Sequence, residues 1–159
     1  MAIIQPLSLK DVIDAAAART SDMPDPLPRI EQYRNAVGVL IENVQSWLKE
    51  EIAEGKVTSH PAKMVRITEQ GQIYNVVTWS FSIGGRYVTL EPRGTWVIGA
   101  YGRVDLAAQP GASVVLTLDE NFQWNLPTKG RTKISYSKLD TVTFAEALAR
   151  ALQIPSRRS

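Results

Sequence analysis

The stretch KMVRITEQGQIYNVVTWSFSIGGRYVTLE, residues Lys63–Glu91, decides the fold class because it reads as three strands separated by two tight turns. The turns are the glycine-bearing QGQ segment and the Gly84-Gly85 pair, which are typical of β-hairpins. Strands joined by connections this short must pair antiparallel, since a parallel pair needs a long crossover connection. The stretch therefore predicts the start of an antiparallel meander.

The meander continues beyond Glu91. A turn in EPRGT, where Pro92 and Gly94 suit the central positions, leads into one long strand predicted over Thr95–Leu106. The segment SVVLTLDENFQWNL contains a further hairpin, predicted to turn at Asp119–Asn121, and RTKISYS supplies a last strand. The sequence therefore predicts a sheet of six or seven strands.

A first helix is predicted before the sheet, over Leu9–Arg19. Ser8 and Asp11 have the spacing of a capping box, in which each side chain accepts a hydrogen bond from the other residue's backbone N–H. Apolar residues then recur with helical periodicity and predict one buried face: Leu9, Val12, Ile13, Ala16 and Ala17. Residues 20–28 contain three prolines and are expected to form a stiff, extended connector.

A second, longer helix is predicted over Arg29–Glu54, and Gly55 is suited to end it. Its apolar positions alternate spacings of three and four residues: Ile30, Tyr33, Val37, Leu40, Val44 and Trp47. This spacing is compatible with a coiled-coil seam or with a helix that lies across a sheet. The stripe is wide and spans fewer than four heptads, which favours the second arrangement.

A third helix is predicted after the sheet. Thr143 and Glu146 have the spacing of a capping box, and Phe144, Leu148 and Leu152 share one face. Pro155 prevents the helix from continuing, so residues 155–159 are expected to be a frayed tail. Two helices, an antiparallel meander and a final helix make the predicted fold class α+β, in a single domain over residues 1–159.

The composition excludes several kinds of chemistry. The 159 residues carry a net charge of +2 and contain no cysteine, which excludes disulfides, thiolate nucleophiles and cysteine-ligated metal sites. The one histidine, His60, precedes a proline, where we expect an exposed linker rather than a metal ligand or a general base. The N-terminus lacks the pattern of a secretory signal, and no apolar run is long enough to span a bilayer. We expect a cytoplasmic protein with no cofactor, no metal and no membrane partner.

Four charged residues lie near the predicted turn after Glu91 and are candidate site residues: Glu91, Arg93, Arg103 and Asp105. Tyr87 and Tyr101 complete this candidate binding face. If Glu91 pairs with Thr95, Tyr87 lies opposite Gly99, and the alternation predicts a helix-facing set: Trp96, Ile98, Ala100, Val104 and Leu106.

This charged group has several interpretations. A carboxylate oriented by arginine is suited to acid–base chemistry, but nothing in the sequence brings a second carboxylate or a nucleophile to Asp105. Alternating charges are also typical of the solvent face of an antiparallel sheet. The pattern favours the rim of a sheet first, a binding surface second and an active site third.

The C-terminal part of the chain is basic. Residues 129–159 contain seven Lys and Arg against two Asp and Glu. A basic stripe beside Trp124 could hold nucleic acid through phosphate contacts and base stacking, and its candidate residues are Lys129, Arg131, Lys133, Tyr136 and Lys138. On the last strand, Arg131 and Lys133 are predicted to share a face with Ser135 and Ser137. Lysines on an edge strand also discourage aggregation between sheets, and this interpretation is favoured.

The leading functional hypothesis is a non-catalytic domain that binds another protein, or a second copy of itself in a homodimer. It depends on the missing catalytic residues and on the aromatic residues of the strands and the long helix, which include four tryptophans. Two alternatives stay open: binding of nucleic acid by the basic end, and binding of a small ligand between the helices and the sheet.

Overall fold

The computed structural model describes residues 8–22, 26–97 and 99–155. The helices are α1 (Leu9–Asp22), α2 (Pro26–Trp47), α3 (Lys49–Ala53) and α4 (Thr141–Ala151). The strands are β1 (Val57–Ser59), β2 (Lys63–Glu69), β3 (Gln72–Ile83), β4 (Arg86–Gly94), β5 (Gly102–Gln109), β6 (Ser113–Leu118), β7 (Trp124–Lys129) and β8 (Ile134–Lys138). The predicted α+β class, with an antiparallel meander between helices, is confirmed.

Every strand pair in the sheet is antiparallel. Strands β3 to β8 are neighbours in chain order, as a meander requires, while β1 and β2 both pair with β3. The additional strand is β1, whose three residues are too few to give a sequence pattern. At Thr78, where the pairing of β3 changes from β2 to β4, the side-chain hydroxyl donates a hydrogen bond to the Leu90 carbonyl. This side-chain bond connects β3 to β4 one residue beyond their last backbone pair, Trp79 and Leu90.

The long helix α2 lies on the sheet, and the coiled-coil alternative is wrong. Its stripe of Tyr33, Val37, Leu40 and Val44 is almost entirely buried in the same hydrophobic cluster as the inward residues of the central strands. The helix begins at Pro26, three residues before the predicted start, because proline is well suited to the first turn of a helix. A turn at Leu48 separates α2 from the short α3, within what was predicted as one helix.

The final helix packs beside α2. The ring of Phe144 lies 5.6 Å from that of Trp47, so both helices occupy the same face of the sheet. The predicted cap of this helix is wrong, because α4 begins two residues before Thr143. Asp140 is the N-cap, and it forms a capping box with Thr143. Glu146 instead accepts a hydrogen bond from Arg150 one turn later.

Helix α1 forms as predicted at its start but does not pack as predicted. The capping box is present, with the Asp11 N–H bonded to Ser8 Oγ and the Ser8 N–H bonded to Asp11 Oδ2, each at 3.2 Å. The predicted buried face is exposed: Leu9 by 77%, Val12 by 48% and Ile13 by 56%. The side chains of Ala16 and Ala17 lie outside the described residues. Amphipathic spacing shows that a helix has an apolar face but does not show what covers it.

The connector and the tail also differ from the prediction. Of the nine residues 20–28, α1 includes the first three and α2 the last three. An extended connector over this range is therefore wrong, and residues 23–25 lie outside the described part of the chain. The tail residues 156–159 also lie outside it.

The predicted strand over Thr95–Leu106 is wrong in its first half and correct from Gly102 onward. Strand β5 begins only at Gly102, and Thr95–Tyr101 form a loop, which we call the Trp96 loop. The pairing after Pro92 shifts by one residue, so that Gly94, with φ of +102°, lies opposite Arg103. Such a bulge bends the strand and ends its regular pairing.

The register of this hairpin differs accordingly. Glu91 pairs with Asp105 rather than with Thr95, and Tyr87 pairs with Gln109 rather than with Gly99. Trp96 was predicted to face the helices but is exposed, because it belongs to the loop and not to the strand. Ile98 lies outside the described residues. The alternation of Val104 and Leu106 toward the helices is correct, and both side chains are fully buried.

Trp79 is the largest fully buried side chain, and its ring lies 5.0 Å from that of Phe81. We expect Trp79→Ala to lower the free energy of unfolding by about 3–5 kcal/mol, because removing a large buried aromatic side chain leaves a cavity. Trp96→Ala is the matched control and should change it by less than about 0.5 kcal/mol. Urea denaturation followed by circular dichroism measures both. Equal midpoints for the two variants would contradict the assigned core.

Candidate binding surface

The Trp96 loop begins where the hydroxyl of Tyr33 from α2 meets the bulge in β4. This hydroxyl donates to the Arg103 carbonyl at 2.7 Å and accepts from the N–H groups of Arg93 at 3.1 Å and Gly94 at 3.0 Å. A side chain on Gly102 would collide with the Tyr33 ring, so glycine makes this approach possible. Burial raises the pKa of Tyr33 far above its usual value, and its hydroxyl therefore stays protonated as a donor.

Glu69, at the end of β2, holds the first residues of the loop. Its carboxylate accepts hydrogen bonds from the Thr95 N–H at 3.0 Å, the Thr95 hydroxyl at 2.7 Å and the Trp96 N–H at 3.2 Å. The Tyr74 hydroxyl donates a further hydrogen bond to it. A Cβ atom on Gly94 would lie 2.5 Å from Glu69 Oε2, so this position requires glycine.

These contacts also set the protonation of Glu69. Burial acts to raise the pKa of its carboxyl group, but the hydrogen bonds from Tyr74, Thr95 and Trp96 outweigh burial and hold that pKa below its usual value. The carboxylate is therefore charged at neutral pH, when its acceptor bonds to the loop are strongest.

Arg29, in the first turns of α2, holds the other end of the loop. Its guanidinium donates to the Ala100 carbonyl at 2.7 Å and lies 4.5 Å from the centre of the Tyr101 ring. It also lines a cleft of about 260 Å³ with Thr95, Trp96 and Val97. Among the side chains that the structure describes, no carboxylate lies within 4 Å of this guanidinium. The guanidinium also donates to the Thr95 carbonyl at 3.4 Å, so α2 contacts both ends of the loop, while β2 holds its first residues.

The loop presents an apolar side chain to solvent. Trp96 is 69% exposed, although its backbone N–H is bonded to Glu69. Tyr101, at the far end of the loop, lies edge-on to Phe122 with ring centres 6.0 Å apart. Phe122 belongs to the turn between β6 and β7, which is held by Asp119 through backbone bonds from Asn121 and Gln123. Three exposed aromatic rings are therefore carried by two hydrogen-bonded loops.

A groove lies along α2, and Phe122 is one of the residues that line it. One edge of the helix lines this groove with residues spaced by four, three and four: Gln32, Ala36, Val39 and Asn43. The opposite side and floor are Phe122 and Trp124, and the Trp124 indole N–H donates to the Ala36 carbonyl at 2.9 Å. The groove contains two adjoining cavities of about 170 and 260 Å³, and Lys138 lies at its rim. We call this the α2 groove.

Together, the Trp96 loop, Tyr101, Phe122 and the α2 groove form what we call the aromatic surface. Tyr101 belongs to it, but the prediction placed Tyr101 on the opposite side of the sheet with the charged residues. Trp96, Arg29, Val39 and Phe122 were not predicted as site residues. The sequence does single out Val39, because it is an apolar residue of α2 that lies outside the buried stripe of that helix.

The four predicted charges do come together on the sheet face opposite the helices. Asp105 is only 3% exposed and accepts hydrogen bonds from Arg93 Nε at 2.9 Å and Arg103 Nε at 2.7 Å. Arg93 also pairs with Glu91 at 2.8 Å. The hydrogen bonds that Arg103 donates to Asp105 raise the pKa of the Arg103 guanidinium above its usual value. Both Asp105 oxygens are occupied by arginine, which supports a structural role at the bulge.

Tyr87 lies apart from these charges, near the other end of β4. The centre of its ring lies 5.3 Å from that of His60, with the two rings tilted by 37°. His60 was predicted to be an exposed linker, but it is half-buried, and its Nε2 lies 2.7 Å from Ser82 Oγ. The single histidine therefore packs against the sheet between β1 and β2.

The basic candidate residues lie at the end of the sheet. Strand β8 is an edge strand, and its Tyr136 and Lys138 face the same side as Lys129 on β7. Arg131 and Lys133 precede β8, so the predicted face that they share with Ser135 and Ser137 on a strand is wrong. Trp124, expected to stack beside this stripe, is buried against α2 instead.

We expect Glu69→Gln to lower the free energy of unfolding by about 1–3 kcal/mol at neutral pH, because hydrogen bonds to a charged acceptor are lost. The folded-state pKa of Glu69 is depressed, so its stabilising contribution is present above the usual value of 4.5 and is lost as the pH falls below it. The difference in the free energy of unfolding between wild type and Glu69→Gln should therefore become smaller at acidic pH. Urea titrations at several pH values measure this, with the exposed Glu120→Gln as control. If this difference in the free energy of unfolding becomes larger at acidic pH, the assigned hydrogen bonds to the Glu69 carboxylate are wrong.

We expect Asp105→Asn to lower the free energy of unfolding by about 1–3 kcal/mol, since two arginines then lose their shared carboxylate. Glu91→Gln is the control and should cost less than about 1 kcal/mol, because that ion pair is solvent-exposed. Both are measured by urea denaturation at neutral pH. If Asp105→Asn is as stable as wild type, the assigned structural role of Asp105 is wrong.

Comparison with known proteins identifies no relative: no protein-family model, no curated protein and no solved structure matches this chain. Within residues 8–22, 26–97 and 99–155, no group of three or more histidine, aspartate or glutamate side chains could hold a metal ion. No helix in this part of the chain is both long and apolar enough to cross a membrane.

Proposed function

We propose that this chain is a non-catalytic module that binds a protein partner through the aromatic surface. The observation that carries this proposal is the position of Trp96, which is largely exposed in a loop that Glu69 and Arg29 hold and whose flanking strands are joined by Tyr33. A large apolar side chain in solvent contributes nothing to folding, but tryptophan is among the most frequent anchors of protein interfaces.

The surface around Trp96 has the composition of an interface. Tyr101 and Phe122 are each about 38% exposed, and the α2 groove that follows is lined by Val39 and Trp124. Aromatic residues and arginine are enriched in the centres of protein interfaces, while lysine and glutamate are depleted there. Because hydrogen bonds already order both loops, binding would cost little additional conformational entropy.

Arg29 indicates the chemistry of the partner. Its guanidinium is bonded to backbone carbonyls and an aromatic ring, while no described carboxylate neutralises it. A carboxylate of the partner, placed beside an apolar side chain in the cleft next to Trp96, would complete this arrangement. The partner is therefore a segment that combines acidic and apolar residues.

The proposal is tested by proximity capture in lysate of the native host. An aromatic photoreactive amino acid, which keeps a ring at position 96, replaces either Trp96 or, as a matched control, Val142, which is 77% exposed at the start of α4. Proteins cross-linked from position 96 and not from position 142 are identified by mass spectrometry. We expect binding of the identified protein to weaken at least about 10-fold in Phe122→Asp, the scale of a lost interface anchor, and to be unchanged in Val142→Asp.

Circular dichroism and the urea midpoint show whether each variant remains folded. Equal cross-linking from positions 96 and 142, or equal binding by folded Phe122→Asp and wild type, would contradict the proposed function. Self-association enters the same test, since a second copy of the chain is one of the proteins that can be captured.

A further inference from the structure

Strand β8 lies at one end of the sheet, and its outer edge is free. It pairs only with β7, and all five of its residues are exposed. Helix α4 packs against β5, β6 and β7 and does not bury any residue of β8. A free edge presents backbone N–H and C=O groups that can pair with a further strand. The sheet can therefore be extended at β8.

Two hydrogen bonds at the ends of β8 show which of its backbone groups face β7. The Leu139 N–H donates to the Trp124 carbonyl at 2.9 Å, just after the strand. The Gly130 N–H donates to the Lys133 carbonyl at 2.8 Å, just before it. In an antiparallel pair, residues bonded to the neighbouring strand alternate with residues whose backbone groups point away. In this register the groups that point away from β7 belong to alternate residues of β8: Ile134, Tyr136 and Lys138.

Among the described residues, only one of these outward-pointing backbone groups has a partner. The Lys138 carbonyl accepts a hydrogen bond from the Thr143 hydroxyl at 2.8 Å, which agrees with its direction away from β7. The N–H and C=O groups of Ile134 and Tyr136 bond to no described residue. Donors and acceptors repeated every second residue match the backbone of an extended peptide, which supplies both kinds of group.

The chain around this edge is basic. The segment Lys129–Lys138 contains no carboxylate and four cations: Lys129, Arg131, Lys133 and Lys138. None of the four forms an ion pair with a carboxylate that the structure describes. Asp140 follows the strand, but its carboxylate caps α4. The edge of a second copy would bring the same positive charges, which oppose pairing between copies, whereas a strand rich in aspartate and glutamate complements them.

The side chains of β8 add an apolar contact. Ile134 and Tyr136 are 52% and 57% exposed on the sheet face opposite the helices, where Tyr136 pairs with Pro127. A strand laid along β8 would place alternate side chains beside these two residues. Single-stranded nucleic acid is typically held by several stacked aromatic rings. Within the described strands β7 and β8, Tyr136 is the one aromatic side chain on this face, which favours a peptide.

We propose that the outer edge of β8 binds an acidic, extended segment of another protein, which pairs with β8 as an additional strand. Backbone hydrogen bonds would hold the segment, and the cations around the edge would select acidic sequences over a second copy of this chain. This inference goes beyond the proposed function, because it concerns a second surface that shares only Lys138 with the aromatic surface.

The first experiment identifies the sequences that the edge accepts. A phage-displayed library of random nine-residue peptides is selected against the whole chain, and peptides that also bind Tyr136→Pro are removed. Proline at this position removes an outward N–H but no bond to β7, so the sheet should persist, as circular dichroism and the urea midpoint will show. We expect the enriched peptides to combine aspartate or glutamate with β-branched residues.

The second experiment tests strand pairing with the wild-type chain and an enriched peptide, by fluorescence anisotropy. The peptide is made in two forms, each N-methylated at a different set of alternate residues. One form should bind at least about 10-fold more weakly, because its methyl groups replace the N–H groups that face β8, and the other should bind within about 2-fold of the parent peptide.

The third experiment tests the charges of the edge. Lys129→Glu/Lys133→Glu should weaken binding of the same peptide by at least about 10-fold, through repulsion of its carboxylates. The control, Lys10→Glu/Lys49→Glu, makes the same change in net charge on α1 and α3, and should weaken it by less than about 3-fold, because distant surface charges are screened.

Enriched acidic peptides, with a loss confined to one methylated form, support strand addition at β8. No acidic enrichment, equal losses from both methylated forms, or unchanged binding by Lys129→Glu/Lys133→Glu would overturn it. A fluorescent oligothymidylate is titrated in parallel. If it binds and Lys129→Glu/Lys133→Glu abolishes this binding while no peptide is enriched, the edge holds nucleic acid instead. The proposed function is unaffected by each of these outcomes, since it is tested at Trp96 and Phe122.

Discussion

The hydroxyl of Tyr33 is the contact on which the arrangement of helix, sheet and loop depends. It is one atom of α2, yet it bonds to three backbone groups of β4 and β5 at the bulge. The bulge would otherwise leave the N–H groups of Arg93 and Gly94 in a poorly solvated position without partners, which costs free energy. Gly102 contributes by lacking a side chain where the Tyr33 ring lies. The helix and the strand pair are therefore positioned relative to each other by a polar bond inside an apolar interface.

The Trp96 loop follows this bulge, and hydrogen bonds fix the path of its backbone. A loop without secondary structure normally loses entropy when it binds. Here Glu69 and Arg29 already hold its two ends, so the exposed Trp96 is carried on ordered backbone. The groups that order the loop face inward and the aromatic rings face outward. The polar side chains of Glu69 and Arg29 are thus engaged with backbone groups of the loop.

The fold class was predictable because it depends on local patterns. The strands from Lys63 to Glu91 and the helix stripe of Tyr33 to Val44 follow periodicities that the structure confirms. The Trp96 loop was not predictable in this way, since Thr95–Leu106 alternates much as a strand does. Its departure from the sheet depends on Glu69, which lies 26 residues away from Thr95 in the chain. Likewise, the charges at Glu91, Arg93, Arg103 and Asp105 were predicted to lie together, but the burial of Asp105 became visible only with the register of β4 and β5.

The sequence by itself determined the order of the main elements, the antiparallel pairing and the apolar stripes of α2 and the central strands, because periodicity and turn residues act over a few neighbouring positions. Only the tertiary structure decided which apolar residues remain outside that core. Leu9 and Val12 follow the same helical spacing as Tyr33 and Val37, and Trp96 has the same side chain as Trp79, yet the first of each pair is exposed and the second is buried. The physical reason is that burial is a property of the partner surface and not of the segment. Whether an apolar face is core or binding surface depends on what lies opposite, which is decided by contacts between residues far apart in the chain.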